Sequence, residues 1–70
     1  MERKHVASSN VTSIGFDPNS ETLEIEFKGG AVYQYYGVPA HLYEQLMGSS
    51  SVGSFVNTYI RNAFPYSLVG

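Results

Sequence analysis

Three tyrosines fall within four positions, Tyr33, Tyr35 and Tyr36, interrupted only by Gln34. A phenol ring stacks on planar groups and its hydroxyl both donates and accepts hydrogen bonds, so the cluster is either a core wall or a binding platform. Asn57 and Arg61 lie four apart and would share one face of a helix, where together they could hold a phosphate or a carboxylate. The plainer reading gives Asn57 a loop backbone partner and sets Arg61 to cap helix carbonyls. Ser51 and Gly53 stand at a predicted helix start, where free N–H groups and the helix dipole suit an anion. An ordinary cap is the plainer reading of them. Lys28, next to a glycine pair, is the remaining cation near the tyrosines.

Catalytic groups are scarce. There is no cysteine, and the two histidines, His5 and His41, have no acidic or serine neighbour at a triad or metal spacing. Asp17 is explained as a turn residue. A chain of 70 residues also has little room for a deep, dry cavity. The expectation is a protein that is not an enzyme, with no metal and no cofactor.

Composition narrows the partners. Charged residues make up 14% of the chain, against about 25% in an average domain, and the net charge is −2. Arg3, Lys4, Lys28 and Arg61 are all the lysines and arginines available to face a phosphate backbone. No apolar run approaches membrane-spanning length, and the polar start Met1-Glu2-Arg3-Lys4 does not read as a signal peptide, so the cytoplasm is expected and a membrane partner is not. With 43% apolar and 14% aromatic residues, stability must come from one packed core.

The elements that position these residues can be read in order. Residues 1–9 are charged, then small and polar, and are expected to be a flexible segment ahead of a single domain over residues 10–67. A strand runs from Asn10 to Asp17, and Asp17-Pro18-Asn19-Ser20 makes a turn. From Thr22 to Lys28 the pattern alternates cleanly: Leu23, Ile25 and Phe27 point one way, Glu24, Glu26 and Lys28 the other. Gly29-Gly30 reverses the chain. A two-residue turn would put Gln34 on the apolar face. A three-residue turn with a left-handed Gly30 instead pairs Phe27 with Ala31, Ile25 with Tyr33 and Leu23 with Tyr35, and this register is preferred. It turns Tyr33 and Tyr35 inward and leaves Tyr36, beside Glu24 and Glu26, as the outward ring.

Two helices follow. Pro39 opens the first, Leu42, Leu46 and Met47 line it, and Gly48 ends it. Ser51 is expected to cap the second, whose stripe is Val52, Phe55, Val56, Tyr59, Ile60 and Ala63, before Phe64-Pro65 stops it. The predicted architecture is α+β, a three-stranded antiparallel meander with two C-terminal helices packed on one face.

Ser8-Ser9-Asn10-Val11, Ile14-Gly15-Phe16-Asp17, Leu23 to Phe27, Val32-Tyr33-Gln34-Tyr35 with Gly37-Val38-Pro39, Ser51-x-Gly53, Asn57, Ile60-Arg61 and Phe64-Pro65-Tyr66 occur in an order and spacing that resemble the KTSC domain. That family is named for its place at the C-terminus of some lysyl-tRNA synthetases and also occurs as free-standing bacterial proteins. The resemblance covers residues 6–67. It implies one small α+β domain with a central Tyr-x-Tyr motif, here Tyr33 and Tyr35, and a non-catalytic interaction module whose suggested partner is RNA. Members often carry basic residues along the second helix and its tail, where this chain has Val52, Ser54, Thr58 and Ser67, leaving Arg61. Tyr36, Asn57, Arg61 and Lys28 are the expected contacts. The alternative is a protein-binding or homodimerising domain without nucleic-acid affinity, working through a strand edge or the Tyr36 face.

Overall fold

A computed structural model describes residues 1–70. Its centre is the predicted meander: β2 (Val11–Asp17), β3 (Thr22–Phe27) and β4 (Val32–Tyr36). The register agrees with the three-residue turn, since Ile25 pairs with Tyr33 and Leu23 with Tyr35. The Phe27 N–H donates to the Ala31 carbonyl at 2.8 Å, and Gly29 and Gly30 have φ of 98° and 99°. Both therefore occupy backbone space that glycine reaches without strain.

The sheet is wider than expected, with five antiparallel strands in sequence order rather than three. At one edge, β1 (Lys4–His5) pairs with Ser13 and Ile14, within the segment expected to be flexible. At the other, β5 (Tyr66–Leu68) pairs with Tyr33–Tyr35, beyond the proline expected to end the second helix. Strands this short offer too few alternating positions to announce themselves. Arg3 and Gly15 account for the first one. The start of the chain crosses so close over Gly15 that a Cβ there would lie 2.6 Å from the Glu2 carbonyl oxygen. Only a glycine admits that approach.

A bulge between Val11 and Ser13 sorts β2 between the two sheet faces. Without it Val11 and Ser13 would point the same way. With it Val11 joins Ile14 in the core, while Ser13 faces Glu26 on the opposite side.

One face of the sheet is covered by α1 (Ala40–Met47), α2 (Val52–Phe55) and a π-helical turn (Val56–Ile60). The predicted single second helix is thus two pieces. Val52, Val56 and Ile60 are all buried at a strict four-residue spacing. A helix with about 3.6 residues per turn would let that row drift away from the sheet. Widening the turn, with the Arg61 N–H donating to the Val56 carbonyl at 3.0 Å, keeps the row on the core. Leu46, Val52, Val56 and Ile60 pack on Val11, Ile14, Leu23, Ile25, Tyr35 and Val38. Ser51 holds the N-cap position without a side-chain cap bond. The Ser49 hydroxyl binds the Ser51 backbone instead.

Candidate functional site

The helical layer stops short of the β4–β5 edge. Between that edge and the end of the π turn lies a half-open groove of about 420 Å³. Its walls are Phe27, Tyr33, Tyr35 and Tyr66, and Lys28, Arg61, Asn10 and Asn62 also line it. The aromatic rings form one contiguous group. Tyr33 meets Phe27 edge-on at 5.8 Å, and Tyr66 lies 5.8 Å from Tyr33 and 5.9 Å from Tyr35.

Strand pairing puts the tyrosines there. Tyr35 faces Tyr66 and Tyr33 faces Leu68 across the β4–β5 ladder, so all four side chains share the helix side of the sheet. Tyr35 is 3% exposed and Tyr66 59% exposed, so the wall grades from core to solvent. Tyr35 is thus core wall and groove wall at once, while the half-buried Tyr33 packs against the core and lines the groove. Burial pushes the Tyr35 phenol above its ordinary pKa, against an opposing pull from the Arg61 charge. It stays protonated at neutral pH.

Arg61 is delivered by the π turn. Its guanidinium carbon sits 5.8 Å above the Phe27 ring, and one nitrogen donates to Asn57 Oδ1 at 3.2 Å. The expected Asn57–Arg61 pair exists, but with separate tasks: Arg61 lines the groove and Asn57 holds Arg61 from outside it. Lys28 lines the same groove from the β3–β4 turn.

Tyr36 does not join them. It belongs to the opposite sheet face, where its hydroxyl bonds Gln34 Oε1 at 3.2 Å and Gln34 Nε2 donates to Glu24 Oε1 at 2.8 Å. Arg3 completes this network by pairing with Glu24 and donating to Ser13 Oγ at 2.9 Å. Burial alone would raise the Glu24 carboxyl, but the Gln34 and Arg3 hydrogen bonds and the Arg3 charge outweigh it and hold the pKa below its ordinary value. The sheet face expected to be simply wet is thus a satisfied polar network, with Glu24 6% exposed. Tyr36 joins it through its hydroxyl. Ser51 and Gly53 lie in a separate polar notch with Ser8, Ser9 and Asn10. Its helix, α2, is only four residues long.

Asn10, Phe27, Ala31, Asn62 and Tyr66 line the groove without having been expected as contacts, although Tyr66 belongs to the Phe64-Pro65-Tyr66 stretch of the resemblance. Tyr66-Ser67-Leu68 does alternate, which is the signal for its strand. No three His, Asp or Glu side chains come together to hold a metal ion. No helix is long and apolar enough to cross a membrane.

Fold and groove define a small α+β domain, one antiparallel sheet with helices on a single face. The chain belongs to the KTSC domain family, whose model matches residues 7–64. The crystal structure of a KTSC domain protein from Yersinia pestis superposes with a TM-score of 0.93 at 38% identity, covering 99% of this chain and 97% of that one. A protein of Tsukamurella paurometabola is 39% identical over 59 residues, covering 84% of this chain and 88% of its own. A lysine–tRNA ligase of Nostoc is 31% identical over 58 residues, which is 83% of this chain but 10% of the ligase. Relatedness to that ligase is therefore relatedness to one small portion of it.

Proposed function

We propose that this domain is a non-catalytic interaction module that holds an unpaired RNA nucleotide in the Phe27–Tyr33–Tyr35–Tyr66 groove, with Lys28 and Arg61 beside the phosphates. The observation that carries the reading is the groove itself. It joins a four-ring aromatic wall to two cations, and its volume of about 420 Å³ suits one nucleotide-sized ligand. The kinship with part of a lysine–tRNA ligase supports the same partner class and a cytoplasmic setting. His5 and His41 are exposed and neither lines the groove, which supports binding without catalysis.

With a net charge of −2, attraction must be local. Stacking worth about 1–3 kcal/mol per base, with two phosphate contacts added, implies a Kd on the order of 0.1–1 mM. Two contacts to a single strand also imply a shallow salt dependence, a log–log slope of about −1.4. Fluorescence anisotropy of a labelled unpaired RNA, at two salt concentrations, tests both. Binding that persists unchanged in Arg61→Ala defeats the proposal.

A second reading rests on β5. Its outer edge is unpaired, and Tyr66, Leu68 and Val69 are exposed along it. Such an edge can add a strand from a partner or a second copy. Sedimentation that depends on protein concentration, and is abolished by Leu68→Pro, which removes an N–H facing away from β4, would favour this reading.

A further inference from the structure

The groove does not end at its aromatic wall. Asn10 lines it and also lines the polar notch of about 260 Å³ between residues 7–10 and 50–54, so the two concavities meet at one residue. The Asn10 carbonyl accepts the Lys28 N–H at 2.9 Å, which sets this junction beside a cation of the groove. The Asn10 side-chain amide has no partner in the protein.

The two spaces offer different chemistry. The groove has aromatic rings and the notch has none; serines stand in their place. The hydroxyls of Ser9, Ser50, Ser51 and Ser54 bond nothing in the protein. A surface without rings cannot stack a base, but hydroxyls and an amide can donate to the oxygens of a sugar–phosphate backbone.

Charge points the same way. Asp and Glu outnumber Lys and Arg six to four, yet no Asp or Glu lines the groove or the notch. Glu24 and Glu26 are held on the opposite sheet face, where Arg3 pairs with both. A polyanion that crosses from groove to notch meets Lys28 and Arg61, then a neutral polar floor, and no like charge.

We infer that groove and notch form one track for an unpaired RNA strand: one base stacks in the groove, and the sugar–phosphate of its neighbour crosses Asn10 into the serine notch. This rests on the RNA reading above. The notch holds hydroxyls and no cation, so it adds affinity without releasing further counterions.

The test follows amide shifts with UMP and with the trinucleotide UUU, at two salt concentrations. It uses wild type and one variant carrying Ser9→Ala, Ser50→Ala and Ser54→Ala. All three residues are exposed and their hydroxyls bond nothing, so the variant keeps the fold. In wild type, UMP moves the groove amides alone, and UUU also moves those of residues 8–10 and 50–54. The variant binds UMP as wild type does and UUU about fivefold more weakly, with the same log–log salt slope. Notch amides that stay still with UUU, or a variant that binds UUU as wild type does, overturn the track and leave the RNA reading standing. Binding of neither ligand overturns the RNA reading and the track with it.

Discussion

Tyr66 stands directly opposite Tyr35 in the β4–β5 ladder, and the two rings approach to 5.9 Å. One is buried and the other mostly exposed, yet they belong to the same aromatic wall. The pairing means that a three-residue strand past Pro65 supplies the solvent side of the groove. It also separates binding from stability. Truncating the exposed ring removes contacts to Tyr33 and Tyr35 at the rim but takes no fully buried side chain out of the core.

Tyr66→Ala should therefore cost about 1–2 kcal/mol of stability through its two ring contacts, less than a core truncation, while weakening RNA binding about fivefold or more through lost stacking. Thermal melts and an anisotropy titration on the same sample read the two effects. Unchanged affinity in a folded variant would remove Tyr66 from the site.

Ile25→Ala should cost about 2–5 kcal/mol, because the residue is fully buried where β3 meets β2 and β4. Phe55→Ala should cost less, about 1–2 kcal/mol, since Phe55 is half-buried and its ring leans on the exposed Tyr59 at 4.8 Å. Urea unfolding ranks the two. The reverse order would place the core nearer α2 than the packing does.

The central hairpin was legible because its constraints agree. Leu23, Ile25 and Phe27 alternate without a break, Gln34 has to avoid the core, and two glycines tolerate the turn, so one register remained. The edge strands were not legible, since Lys4–His5 forms a strand only through Arg3 and the close approach over Gly15, both of which are tertiary facts. The π turn left a faint trace in the four-residue spacing of Val52, Val56 and Ile60. As for the site, Tyr33, Tyr35, Lys28 and Arg61 were marked by type. Tyr36 lies on the outward face that alternation predicts, but alternation could not tell that Gln34 and Glu24 wait there to engage it.

Gly15→Ala should destabilise the fold by about 1–3 kcal/mol. The added methyl meets the Glu2 carbonyl, so the first three residues must lift and Arg3 must leave Glu24. Hydrogen exchange should speed up at Lys4 and His5 while the β3–β4 hairpin stays protected. Unchanged exchange at β1 would show that the chain start is held by something other than this contact.

Glu24 gives the fold an acid-sensitive limb. Its pKa is lower folded than unfolded, so its stabilisation is present above the ordinary carboxylate range and drains as pH falls through the folded value. Urea midpoints should therefore drop between about pH 5 and about pH 3, and Glu24→Gln should flatten that limb. Parallel pH profiles for wild type and variant would show that the Arg3–Glu24 pair adds no pH-dependent stability.

The groove itself is tested most directly by amide-shift mapping of labelled protein with transfer RNA and a short unpaired RNA at two salt concentrations. Shifts that cluster at Lys28, Tyr33, Tyr35, Arg61 and Tyr66, and weaken as salt rises, are the predicted result. Shifts confined to Glu24, Gln34 and Tyr36, or none at low salt, would contradict it.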